Sequence, residues 1–247
     1  MSACCGQFLA ALSSSLLTHR PRLPVIIVHH LNLSRSQRVL WLLEELGLPY
    51  EIKPYERDTH TLLAPAALQQ VHPLGKSPVI TDGDLTLAES GAILEYLAER
   101  AGRLLAPPGS AERARYLYWL HYAEGSLMPP LFLKLLFERI EKAPVPFFVK
   151  PITRRIAAQG RDHYVLPQLR RHLDFIEGEL ASREWFAGDA FTAADIQMSY
   201  PLQAAMQRIG QDGRPRTRAF IDRIMARPAY QRAQARGGEF GIPEFRD

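Results

Sequence analysis

The chain has 247 residues, of which 47% are hydrophobic, enough for a packed core in one large or two ordinary domains, so a soluble globular protein is the default. A total of 30 Lys and Arg against 26 Asp and Glu leaves a formal charge of +4, which slightly favours anionic small molecules and calls for no nucleic acid partner. The only two cysteines, Cys4 and Cys5, are adjacent and outside any CxxC or Cys/His spacing, so they suggest neither a disulfide framework nor a zinc site and fit a reducing, cytoplasmic setting.

Residues 1–22 carry a short apolar run, FLAALSSSLL, with charges after it and none of the preceding basic residues of a secretory signal. The run is too short for a membrane span, and the segment reads as a disordered extension or a misplaced start. From Pro24 the pattern becomes regular. VIIVHH is a β-branched run of buried-strand length. After a turn at LNLS, RSQRVLWLLEELG changes to helical spacing, with Val39, Leu43 and Leu46 on one face and Gly47 as its stop. PYEIKPY reads as a second strand bounded by Pro49 and Pro54, and Leu62 to Val71 as a short irregular helix. PVITDGDLTL has two apolar runs around Asp82-Gly83-Asp84, a hairpin signal. Glu89 to Ala101 follows as a helix with Ile93, Leu94 and Leu97 as its stripe. The order β-α-β-α-β-β-α predicts a thioredoxin-like α/β domain over 23–102, with three helices on a four-stranded mixed sheet.

A linker over 103–110, containing Pro107, Pro108 and Gly109, leads to an all-α domain over 111–247. Its helical segments are Ala111 to about Lys142, interrupted near Met128-Pro129-Pro130, then Ile152 to Ser182, Ala193 to Ile209 and Arg216 to Arg227. Thr192 and Asp195 have capping-box spacing ahead of the third, with Phe191 placed for a hydrophobic staple, so this block has a structural logic of its own.

Taken in order, HHLNLSRSQRVLWLLEELGLPYE, HPLGKSPVI, LAESGAILEYL and WFAGDAFTAADIQM resemble the cytosolic glutathione transferase superfamily over most of the chain. The resemblance implies a glutathione-binding thioredoxin-like half, a helical half that faces an electrophilic small molecule, a homodimer and a role in detoxification. Reduced glutathione would be the co-substrate, with no metal and no nucleotide, and the chain has no Gly-rich phosphate loop. Glutathione-dependent isomerisation or peroxide reduction is an alternative on the same thiolate. A non-catalytic glutathione-binding scaffold is another, because fold does not settle function.

The motifs divide the work. By base rate Pro78 is a trans proline opening a strand, whereas the resemblance implies that Ser77-Pro78 is cis and that the Ser77 backbone pairs with the bound peptide. Lys76 alone reads as a solvated lysine; the resemblance implies that it holds a glutathione carboxylate. Glu89 and Ser90 are good helix-start chemistry, and such a helix end is also an anion site. In the family this acidic-Ser pair holds the zwitterionic γ-glutamyl end.

The reaction needs a thiolate. Lowering a thiol from about 8.5 by two units takes roughly 3 kcal/mol, within reach of one charge-assisted hydrogen bond plus a helix N-terminus. The candidate donors, in the turn after the first strand, are Asn32, Ser34 and Ser36, with Arg35 adding positive charge. Ser34 is the first choice and Asn32 the second, while Ser36 reads more as a plain N-cap. The turn has neither the tyrosine nor the cysteine of other classes in the family, which argues against a mixed-disulfide mechanism. Tyr116, Tyr118 and Tyr122, with Met128 and Phe132, are candidates to line the electrophile pocket, although aromatic stripes at helical spacing more often form core.

Overall fold

The computed structural model describes residues 25–58, 61–210 and 213–241, so the reading of residues 1–22 lies outside it. Strand β1 (Ile26–Leu31), helix α1 (Ser36–Leu46), strands β2 (Tyr50–Tyr55), β3 (Val79–Asp82) and β4 (Leu85–Ala88), and helix α2 (Ser90–Ala101) follow the predicted order. The stretch from Leu62 to Val71 differs: it contains only a 3-10 turn at Ala66–Gln70, in which Leu68 alone is buried. One inward side chain gives too little packing to hold a longer helix.

The sheet runs β2-β1-β3-β4, with β1 parallel to β2 and antiparallel to β3, and β3 antiparallel to β4. A parallel pair needs a crossover, and α1 supplies it. Val28 sits mid-sheet opposite Ile52 and Ile80. Gly83 takes φ 59° in the two-residue β3–β4 turn, a conformation that favours glycine. Gly47 ends α1 in the left-handed region, as its sequence position predicts. Helix α1 is buried almost all round, not along one stripe, because it lies between the sheet and the helical half.

That half comprises α3 (Ala111–Tyr122), α4 (Met128–Glu141), α5 (Lys150–Gly160), α6 (Leu166–Ser182), α7 (Ala193–Ile209), α8 (Pro215–Met225) and α9 (Pro228–Gly237). The interruption near Met128 is a π-helical turn at Ala123–Leu127 that joins α3 to α4, with the Met128 N–H reaching back to the Ala123 carbonyl. Pro129 has no N–H for the Gly125 carbonyl, and its ring would clash there in a regular α-helix, so the chain widens by one residue. Ahead of Pro167 the same device, Arg161–Val165, joins α5 to α6. Asp195 caps α7: its Oδ2 accepts from the Thr192 N–H at 2.8 Å and its Oδ1 from the Phe186 N–H at 2.8 Å.

Helix α9 was not expected from its sparse apolar residues. Ala229, Tyr230 and Ala233 are buried, and Glu44 and Glu45 of α1 pair with Arg232, Arg236 and Arg227. A side chain at Gly237 would collide with Leu40, so the close approach of α9 to α1 requires glycine there. One connected core spans both halves. Trp41 of α1 lies at its junction, its ring centroid 5.7 Å from that of Phe191 and 5.1 Å from that of Tyr230.

Candidate active site

The turn between β1 and α1 holds a chain of hydroxyls. Ser34 Oγ is 2.7 Å from Ser36 Oγ, which is 2.8 Å from His30 Nδ1, and His30 Nε2 is 2.8 Å from the Gly237 carbonyl. A carbonyl only accepts, so Nε2 carries the proton and Nδ1 of the neutral ring accepts from the Ser36 hydroxyl. The Ser34 hydroxyl is thereby free to donate to Ser36. Burial pulls the His30 imidazole below its usual pKa, outweighing its bond to Gly237, which keeps the ring neutral near pH 7.

This arrangement corrects the role read for Ser36. The cap position of α1 is Arg35, whose side chain makes no capping bond, and Ser36 lies inside the first turn. Its hydroxyl turns back toward His30 and the Leu31 carbonyl, while its N–H donates to Ser34 Oγ at 3.2 Å. The capping oxygen therefore belongs to Ser34. Asn32 ties the ends of β1 and β2 together: its N–H donates to the Tyr55 carbonyl at 3.0 Å, and its Oδ1 accepts from the Arg57 N–H at 2.9 Å.

Ser77-Pro78 is cis. The Ser77 hydroxyl donates to the His29 carbonyl at 3.0 Å and lies 3.5 Å from Ser34 Oγ, so the β1–α1 turn and the β3 approach meet side chain to side chain. Lys76 is exposed and makes no ion pair among the described residues. Glu89, also exposed, has φ 70°, costly for a side-chain-bearing residue and typical of functional turns. Ser90 beside it is buried, and its Oγ accepts from Arg38 Nη2 at 2.9 Å and Gln197 Nε2 at 3.2 Å, which leaves its own proton to give.

Arg38 holds this end together. Only 2% exposed, it donates to the Gln197 carbonyl at 2.7 Å and to Glu124 at 2.6 Å as well as to Ser90. The Gln197 carbonyl is free because Pro201, four residues on in α7, has no N–H for it. Burial raises the Glu124 carboxyl, but Arg38 and Arg35 outweigh it and hold the group below its ordinary value. Two buried atoms here, Arg38 Nε and Gln197 Oε1, have no partner among the described residues.

A cleft of about 150 Å³ opens beside the turn. Met128, Leu131, Phe132 and Leu135 of α4 and Tyr200 and Ala204 of α7 make its walls, and Arg35, Arg57 and Arg208 also line it. Of the five pocket candidates, Met128 and Phe132 are here, while Tyr116 is buried in the core. Tyr118 lies in a separate depression beside Trp119 and Phe175, and Tyr122 is buried and hydrogen-bonded to His172. Tyr118 and Tyr122 lie toward Phe175 and His172 of α6, so the structure does not bring the five candidates together.

The family model "Glutathione S-transferase, N-terminal domain" matches residues 23–99, and "Glutathione S-transferase, C-terminal domain" matches residues 139–228. The chain belongs to the glutathione S-transferase family. It is 40% identical over 185 residues to "Glutathione S-transferase 3" of Schizosaccharomyces pombe, covering 74% of this chain and 75% of that one. A glutathione S-transferase from Actinobacillus pleuropneumoniae superposes with a TM-score of 0.74 at 31% identity, covering 90% of this chain and 98% of the other. A family member from Pseudomonas fluorescens Pf-5, solved with two glutathione bound, gives 0.66 at 28% identity over 85% and 92%. The chain is a glutathione transferase.

Arg38, Glu124, Gln197 and His30, around the candidate site, were not singled out from the sequence. Arg38 stands three residues after Arg35 on α1, a spacing that signals a shared partner, but Glu124 is 86 positions away. Gln197 had a readable signal, its place four residues before a proline within a helix. His30 had none, since its role depends on Gly237, 207 positions away.

Proposed function

We propose that this transferase conjugates reduced glutathione to electrophilic, mostly apolar small molecules, with the Ser34 hydroxyl as donor to the glutathione sulfur. The observation that carries the reading is the 3.5 Å approach of Ser34 Oγ to Ser77 Oγ, because it sets a donor beside the strand end on which the peptide would pair. Among the turn and loop hydrogen bonds of the described residues, none uses the backbone N–H or C=O of Ser77, so both remain to pair with an added strand. Lys76 supplies a charge for one carboxylate. Ser90, with its unspent proton, and exposed Glu89 suit the carboxylate and ammonium of the γ-glutamyl end, and the unpartnered Gln197 Oε1 adds an acceptor beside them. Asn32, whose Oδ1 accepts from the Arg57 N–H, is the second choice as sulfur donor through its Nδ2, and Ser36 acts through Ser34.

In this reading residues 23–102 bind glutathione, 103–110 link, and 111–247 supply most of the electrophile side through Met128 and its neighbours. Hydrogen-bond donors suffice to ionise the thiol, so neither metal nor nucleotide is needed. Among the described residues no helix is long and apolar enough to cross a membrane, and a cytoplasmic, detoxifying enzyme with reduced glutathione at hand is the setting proposed. A homodimer belongs to the reading, supported by the exposed Phe147, Phe148, Ile152 and Ile156. Free glutathione should raise the melting temperature, and 1-chloro-2,4-dinitrobenzene should be conjugated. No thermal shift at millimolar glutathione for folded protein would overturn the binding assignment; binding without conjugation would favour the scaffold.

A further inference from the structure

The cleft beside Ser34 has an unusual balance of charge. Its walls are apolar, yet Arg35, Arg57 and Arg208 all line it. Arg35 pairs with Glu124 at 3.0 Å, and Arg208 with Glu138 at 3.3 Å. Neither carboxylate is theirs alone, because Glu124 also serves Arg38 and Glu138 also serves Lys134. Arg57 has no ion pair among the described residues: its Nε donates to the Asn32 carbonyl at 3.2 Å and its Nη1 to the Leu62 carbonyl at 2.8 Å. Two carboxylates thus stand against five cations, three of which line the cleft. Burial and repulsion from Arg35 both act against the Arg57 charge. A cation held half-buried beside another cation is stabilised by an incoming anion.

Glutathione is one source of negative charge, but the walls of the cleft are wrong for a peptide: Met128, Leu131 and Phe132 offer apolar surface and no backbone edge. They suit an apolar body, and the arginines suit an acidic group on that body. We propose that the preferred electrophile of this transferase is an apolar molecule that bears an anionic group, a carboxylate in the simplest case, which Arg57 binds with support from Arg208. This deepens the conjugation reading and rests on the cleft being the electrophile site.

The test uses two electrophiles with the same reacting aryl chloride, neutral 1-chloro-2,4-dinitrobenzene and anionic 4-chloro-3,5-dinitrobenzoate. Each kcat/KM is divided by the uncatalysed rate with glutathione. The ratio, anionic over neutral, should be about tenfold or more above unity, as one charge-assisted hydrogen bond allows, and should shrink as salt rises. In Arg57→Met the ratio should fall about tenfold, and in Arg208→Met by less. Binding of the unreactive 3,5-dinitrobenzoate to glutathione-saturated protein, measured by calorimetry, should weaken in parallel. A ratio near unity in the unaltered enzyme, or one that Arg57→Met leaves unchanged, overturns the proposal. So does a rise in the glutathione dissociation constant with equal losses on both electrophiles, which would assign Arg57 to glutathione itself. If neither electrophile reacts, the conjugation reading fails, and the calorimetric comparison still decides whether the cleft takes the anion.

Discussion

Replacing Ser34 with alanine tests the proposed donor, and the structure sets the size of the effect. The Ser34 hydroxyl already has a neutral acceptor, Ser36 Oγ at 2.7 Å. To serve the sulfur it must give up that bond for a charge-assisted one. A hydrogen bond to a charged group is worth about 1.5–3 kcal/mol and a neutral one about 1, so the net gain is roughly 0.5–2 kcal/mol, or about one unit of thiol pKa. Ser34→Ala should therefore raise the pKa of the bound thiol by about one unit and cut the thiolate fraction near neutral pH by up to about tenfold. Glutathione affinity should hold through Lys76, Ser77, Glu89 and Ser90. Ser36→Ala should act in the opposite sense: it removes the competing acceptor, so the thiol pKa should hold or fall. It also leaves the buried His30 Nδ1 without its donor, which costs about 1–3 kcal/mol of stability. Thiolate absorbance titrated in glutathione-saturated protein, with melting measured alongside, reads both variants. An unchanged pKa in Ser34→Ala together with a raised one in Asn32→Ala would move the role to Asn32, and no shift in any variant would leave the backbone amides of α1 as the source of stabilisation.

Asp195→Ala should lower stability by roughly 3–5 kcal/mol, about 10 °C or more in melting temperature, because the buried N–H groups of Phe186 and Thr192 lose their acceptor. The glutathione dissociation constant should barely move, and unchanged melting with much weaker binding would show that the cap is part of the site. Arg38→Lys should weaken glutathione binding by about tenfold, since an ammonium cannot reach Ser90, Glu124 and Gln197 together; unaltered binding by folded protein would mean that Ser90 holds its position unaided. Burial lowers the pKa of His29, His30 and His172, so their contribution to stability is present above about pH 6.5 and is lost as the pH falls through their folded values. Asp195, pushed up to about 6 by burial against its hydrogen-bond donors, works the other way, its contribution being full below about pH 4 and lost as the pH rises through about 6. Melting temperature should accordingly drop between pH 7 and 5, and drop more steeply in Asp195→Asn; a flat profile in both proteins would refute these assignments.

What could be read from the sequence was what is decided within a few residues. The strand and helix around LNLS, the stop at Gly47, the turn at Gly83 and the cap at Asp195 all depend on side chains close to one another in the chain. The stretch around Leu68, helix α9 and the placement of Tyr118 and Tyr122 depend on which distant surface an element meets. Prolines stand between these cases, because what each one forbids is local and what uses the freed group is not. Pro129 and Pro167 each widen a helix, and the first of these turns carries Glu124. Pro201 frees the Gln197 carbonyl, and Arg38, 159 positions earlier, takes it. The same Arg38 then reaches both Glu124 and Ser90. The helical half thus reaches the end proposed to hold the γ-glutamyl group through two backbone irregularities, each announced in the sequence by a proline whose partner the sequence does not name.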